Sequence, residues 1–188
     1  MGLQYPFSAP PAGAEEARQE VTRCGGGPYQ DGWPWDRSDP MEVQTSRFGK
    51  VEIAEDRVIT FPKGLLGFQQ YARYCLLQPS EEACFFWLQS VDEPSLAFVV
   101  TDPGQFFPDY SVPVRQEQMD ELRLGSLDES QVFVIVNKVG ATLTGNLQGP
   151  LIVNTRERVG EQFVLAERKW TTRHEILTLD KPARAASA

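Results

Sequence analysis

The sequence predicts a mostly β protein, a small antiparallel barrel-like or sandwich domain carrying one or two short helices. Three observations predict it. Short runs rich in Val, Ile, Leu, Phe and Tyr recur from Val43 to Ala166, separated by Gly, Pro and acidic turn residues. Helical spacing of apolar residues stands out in one stretch, Gln116 to Leu124. The 188-residue chain is 41% hydrophobic and 23% charged, an ordinary globular composition with room for one domain and a tail. A domain of roughly 140 residues buries enough surface to fold without a metal or a disulfide.

Residues 1–40 stand apart, with six prolines, six glycines and Cys24-Gly25-Gly26-Gly27-Pro28 at their centre. Such a stretch cannot bury enough to offset its ordering entropy, so it reads as disordered. Tyr5, Tyr29, Trp33 and Trp35 are either scattered aromatics in that tail or a short sticky motif. The ordered pattern begins at Met41, which suits a natural start there, with 1–40 an extension or a mis-assigned beginning. The domain is placed at 41–180, and 181–188 is expected to fray.

Val43 to Ile53 reads as a strand or hairpin broken near Gly49, with Phe48, Val51 and Ile53 available for a buried side. Val58 to Phe61 is a short strand closed by Pro62. Lys63 to Phe68 is then a turn, because Gly64 and Gly67 allow positive φ. Strands follow at Tyr74–Leu77, Cys84–Gln89 and Leu96–Thr101, and Phe106 to Tyr110 is irregular. Met119 and Leu122 share one face of the helical stretch, and Gly125 is a plausible stop for it. The continuous run Val132 to Val136 suits a strand buried on both faces. Ala141–Leu147, Leu151–Asn154 and Gln162–Ala166 complete the set.

Several function classes recede on composition. The stretch 41–180 holds 20 acids and 13 bases, a net charge of −7, which opposes direct binding to a phosphate backbone and favours a basic protein partner. The apolar runs are too short to span a bilayer, and the start lacks an apolar leader segment, so the protein is expected in the cytoplasm and off the membrane. Cys24, Cys75 and Cys84 show no CxxC spacing, and the latter two read as buried small hydrophobes. His174 is the one histidine, so neither a metal nor a cofactor is expected. The better-marked nucleotide, zinc-protease and hydrolase motifs are absent. Asp102 with Asp109, and Glu81 with Glu82, read as solvated acids rather than a catalytic pair. Arg168 to Arg173 mixes bases with Trp170 and is the one nucleic-acid candidate; the competing reading is a strand edge with Trp170 in the core.

Glycine-and-aromatic turns beside apolar strands remain, either as packing or as a protein-binding surface. In order they run Thr45–Gly49, Ile59–Phe68, Leu88–Ser90, Pro94–Phe98, Asp102-Pro103, Phe107–Tyr110, Asn146–Asn154 and Thr172–His174. Together these segments resemble the FliW family of flagellar assembly factors across nearly all of 41–177. Gly145 and Gly149 depart from it, since an alanine-like residue is expected there. The resemblance implies a compact β-barrel-like fold without catalysis, monomeric when free. It also implies binding to flagellin and to the small RNA-binding regulator CsrA, with flagellin releasing the regulator to repress its message. Direct RNA binding by this domain is the alternative. Partner contacts are placed in or beside the turns that carry the resemblance, at Phe61, Leu65, Phe68, Phe107, Tyr110, Asn146 and Leu147.

Overall fold

Side chains alternate along each strand, and here both faces of the sheet find cover. The computed structural model describes residues 40–80, 83–167 and 169–179. The expectations for residues 1–39 and for the tail 181–188 lie outside these. Strands β1 (Pro40–Thr45) and β2 (Gly49–Ala54) form a separate hairpin. The main sheet holds β3 (Ile59–Thr60), β4 (Arg73–Leu77), β5 (Phe85–Ser90), β6 (Ala97–Thr101), β7 (Ser130–Val139), β8 (Thr142–Gly145), β9 (Leu151–Asn154), β10 (Gly160–Gln162) and β11 (His174–Thr178). Its antiparallel path runs β10-β9-β7-β6-β5-β4-β3, with β8 added to β7 and β11 to β8. The expected mostly β, barrel-like architecture is what the chain forms, a curled sheet making a half-barrel.

The ten-residue β7 organises this sheet. Ser130 to Phe133 pair with β9, Val134 to Val136 with β6, and Val136 to Val139 with β8. The ends of the path approach each other: Thr60 and Val159 form one parallel bridge, and the Thr60 N–H donates to the Arg158 carbonyl at 2.8 Å. Beside that bridge Phe61 lies against Gly160, where a Cβ would stand 2.6 Å from the ring. A half-barrel is therefore seamed by one backbone bridge.

Period-two alternation sorts the apolar residues. Tyr74, Leu88, Val100, Phe133, Leu151 and Val153 point inward, with Ile59, Phe61 and Leu65, to make the inner core. Their neighbours Cys75 and Leu77 point outward beneath the β1–β2 hairpin, meeting Val43, Val51 and Ile53. Ile152 points outward beneath Leu122, Leu124 and Phe163, and Val134 beneath Leu147, Leu165 and Trp170. This double cover explains the continuous apolar run of β7. Cys75 is a buried packing residue, as expected, whereas Cys84 is partly exposed.

Three expectations need correction. Helix α1 covers Gln116–Glu121 only, and its stop is not Gly125. Arg123 takes the left-handed conformation (φ 54°), and the N–H groups of Arg123 and Leu124 return to the carbonyls of Asp120 and Met119, a Schellman closure. The strand expected at Gln162–Ala166 is β10, which begins at Gly160 and ends at Gln162. Beyond it, Phe163 and Leu165 still donate to the carbonyls of Pro150 and Gln148. Strand β11 was not anticipated, because a register shift between Glu175 and Leu177 breaks its alternation. Asn154, wholly buried, ties α1 to β9: its amide donates to the Leu122 and Arg123 carbonyls and its oxygen accepts from Arg156 and Glu157.

Candidate partner-binding surface

The turn after β3 supplies the first group of expected contacts. Phe61 N–H donates to the Ala72 carbonyl at 2.7 Å, so the loop between them closes on itself. Gly64 (φ 65°) and Gly67 (φ 86°) adopt the conformation expected of them, and at Gly64 a Cβ would meet the Gln69 backbone at 2.5 Å. The turn drives Leu65 inward and leaves Leu66 outward, 58% exposed. Phe68 is half-buried, edge-on to Phe98 at 5.1 Å. Lys63 reaches Glu121 at 2.7 Å and Glu161 at 2.8 Å across a shallow cleft of about 190 Å³ floored by Leu122 and Val159. Hydrogen bonds donated to these carboxylates, Glu121 first, hold the Lys63 ammonium above its ordinary range, and Lys63 in turn lowers Glu121.

The second group surrounds the Asp102–Tyr110 segment. Asp102 accepts from the Gly104 N–H at 2.8 Å and opens a single 3-10 turn that delivers Phe107 and Tyr110. Phe107 lies edge-on to Trp170 (5.9 Å) and to His174 (5.1 Å). Tyr110 packs on Trp170 at 5.0 Å and donates its hydroxyl to the Leu147 carbonyl at 2.7 Å. Burial raises the Tyr110 phenol far above its ordinary value. Asn146 is half-buried and donates its N–H to Ile135, while its buried Oδ1 has no partner among the described residues. Lys169 lies over the Trp170 ring at 4.5 Å and pairs with Asp109, which lowers the Asp109 carboxyl.

The seven expected contacts therefore divide. Phe61 and Leu65 are 1% exposed and Leu147 is 0%. As folded, these three are packing residues that offer no surface, because the turns pointing them inward are the same turns that carry the resemblance. Phe68, Phe107, Tyr110 and Asn146 keep partial exposure. They fall on two apolar clusters rather than one, Phe68 with the inner core and Phe107 and Tyr110 with the Trp170 cluster. Sequence reasoning missed Leu66, which an identical neighbour disguised, and the packing of His174 against Phe107, a contact between residues far apart in the chain.

Asp102 is engaged with Gly104 and Gln131, and Asp109 with Lys169; Glu81 and Glu82 lie outside the described residues. Trp170 is 5% exposed and gives no stacking platform for a base, although it lies between β10 and β11 rather than on a strand edge. Among the described residues, no group of three or more His, Cys, Asp or Glu is placed to hold a metal. No helix there is long and apolar enough to cross a membrane.

Comparison with known proteins places this arrangement. The family described as FliW protein matches residues 42–176. A flagellar assembly factor FliW from Treponema denticola is 40% identical over 139 residues, 73% of this chain and 94% of that protein. The FliW of Leptospira interrogans serovar Lai is 36% identical over 140 residues, 73% of this chain and 93% of the relative. A crystal structure of the flagellar assembly factor FliW superposes with a TM-score of 0.67 at 29% identity, covering 73% of this chain and 97% of that one.

Proposed function

The chain belongs to the FliW family of flagellar assembly factors, and from that premise we propose that it works by binding proteins, without catalysis. Its partners in this reading are flagellin and a CsrA-type RNA-binding regulator. Free protein sequesters the regulator and lets flagellin translation proceed; accumulated flagellin occupies the protein and releases the regulator. The observation that carries the reading is the family match across 42–176, essentially the whole described domain. Two features support it. A net charge of −7 on residues 41–180 suits a basic RNA-binding protein through steering and complementarity. Leu66, held out in solvent beside half-buried Phe68 on a self-bonded turn, suits the apolar face of a partner helix.

Calorimetric titration of the full chain with flagellin, and separately with the regulator, tests the proposal. Saturable binding of both is expected. Binding of neither refutes it, and salt-sensitive binding of RNA by the chain alone would transfer the function to direct RNA recognition.

A further inference from the structure

Beyond β10 the chain stays extended along the margin of the sheet. The Phe163 and Leu165 N–H groups donate to the Pro150 and Gln148 carbonyls, each at 2.8 Å, which is the spacing of an antiparallel ladder. Pro150 has no N–H to return, so the pairing there is one-sided. Phe163 and Leu165 are buried in the outer clusters. Val164 between them turns to the opposite face and is 70% exposed, the highest value for any large apolar side chain among the described residues. In such a ladder the main-chain groups of Val164 and Ala166 point away from β9. Among the described residues neither makes a backbone hydrogen bond. Loop 62–71 meets this margin at Gln162, whose Oε1 accepts from the Leu66 N–H at 2.9 Å, and Val164, Ala166 and Glu167 beyond it are exposed. Sheet edges are ordinarily blunted by lysine, proline or a bulge; this one carries a valine. Glu161, paired with Lys63, and the exposed Glu167 bracket it. A second copy of the chain suits this edge poorly. Twofold pairing centred on Val164 sets Glu161 of each copy opposite Glu167 of the other, like charges that destabilise a ladder. A basic strand meets the same two carboxylates favourably.

We propose that residues 163–167 form a strand-addition edge, to which an extended segment of the basic regulator pairs main chain to main chain. This inference rests on the protein-binding reading above and deepens it. The segment carries an apolar residue opposite Val164 and Lys or Arg three positions to either side, opposite Glu161 and Glu167. Its main chain exchanges hydrogen bonds with Val164 and Ala166, which supplies affinity, while the valine and the two carboxylates select the sequence.

Hydrogen exchange of the full chain, read amide by amide, tests the edge. In the chain alone, the Val164 and Ala166 amides should exchange quickly at every protein concentration. Saturation with the regulator should slow both at least about tenfold. Regulator that binds without slowing them overturns the edge and leaves the protein-binding reading standing. Slowing that grows with the concentration of the chain alone assigns the edge to a second copy, and slowing by flagellin but not by the regulator assigns it to flagellin; either overturns the proposal. V164P removes the outward N–H without removing a bond to β9, and should weaken regulator binding at least about tenfold. V164T keeps that N–H and should weaken binding no more than about threefold. E167K should weaken binding and flatten its salt dependence. A V164P chain that keeps the parent exchange pattern in β4 to β7 and binds the regulator as tightly as the parent overturns the edge; if V164P does not fold, the exchange of the parent decides. A parent chain that binds no regulator fails that arm of the protein-binding reading and the edge with it.

Discussion

Gly160→Ala probes the seam of the barrel most sharply. The added Cβ would stand 2.6 Å from Phe61 Cε1, 2.8 Å from Cζ and 3.1 Å from Cδ1. Phe61 is 1% exposed and already packed edge-on against Tyr74, so its ring has no free direction in which to withdraw. Forcing a methyl group into a filled site costs about 1–3 kcal/mol. Gly160 is not among the positive-φ residues, so the alanine recovers about 0.4–1 kcal/mol through the unfolded chain. The net expectation is a loss of about 1–2 kcal/mol, read as a lower urea midpoint with an unchanged m-value and a Tm lowered by roughly 3–8 °C. Phe61→Leu makes room, and the double variant should recover at least about 0.5 kcal/mol relative to the sum of the single changes. A neutral or stabilised Gly160→Ala that adds independently to Phe61→Leu would refute the packing of Phe61 on Gly160, and with it the closed seam.

Four further outcomes follow from the same geometry. Tyr110→Phe removes the hydroxyl that satisfies the Leu147 carbonyl and should cost about 1 kcal/mol in chemical denaturation. Tyr74→Phe removes a hydroxyl that has no hydrogen-bond partner among the described residues and should stabilise by up to about 1 kcal/mol. Burial raises the Tyr74 phenol from 10 to about 12, so the folded state keeps its proton longer than the unfolded chain. This contribution is complete below pH 10 and is lost as pH climbs to about 12; wild type should therefore lose more stability across that window than Tyr74→Phe. Leu66→Ser, at a 58% exposed position, should weaken flagellin binding about tenfold or more while Tm stays within about 2 °C; equal affinity would remove Leu66 from the contact.

Much of the architecture was legible because local chemistry and global placement agree. Gly49, at φ 72°, closes the β1–β2 hairpin where the alternation breaks, and the run Val132 to Val136 is covered on both faces as its composition implies. Legibility failed where one residue type served two environments. Leu65 and Leu66 are identical neighbours with opposite burial, decided by the glycines on either side of them. Arg123 occupies the left-handed position a glycine would ordinarily mark, so the end of α1 was placed too late. Gly145 and Gly149 read as departures from an alanine-like pattern, yet a Cβ there would meet Ile176 Cδ1 at 2.9 Å and Asn146 Nδ2 at 2.6 Å. Both obstacles are side-chain atoms, the Ile176 methyl and the Asn146 amide, rather than backbone. The Thr60–Val159 bridge and the Phe107–His174 contact join residues far apart in the chain, and no local pattern announces them.

The partner-switching claim is tested most directly by following a fluorescent flagellin leader RNA bound to the CsrA-type regulator. Adding this protein should release the RNA, and then adding flagellin to saturation should restore the RNA–regulator complex. RNA that remains released at saturating flagellin, or that binds this protein itself, would contradict the account.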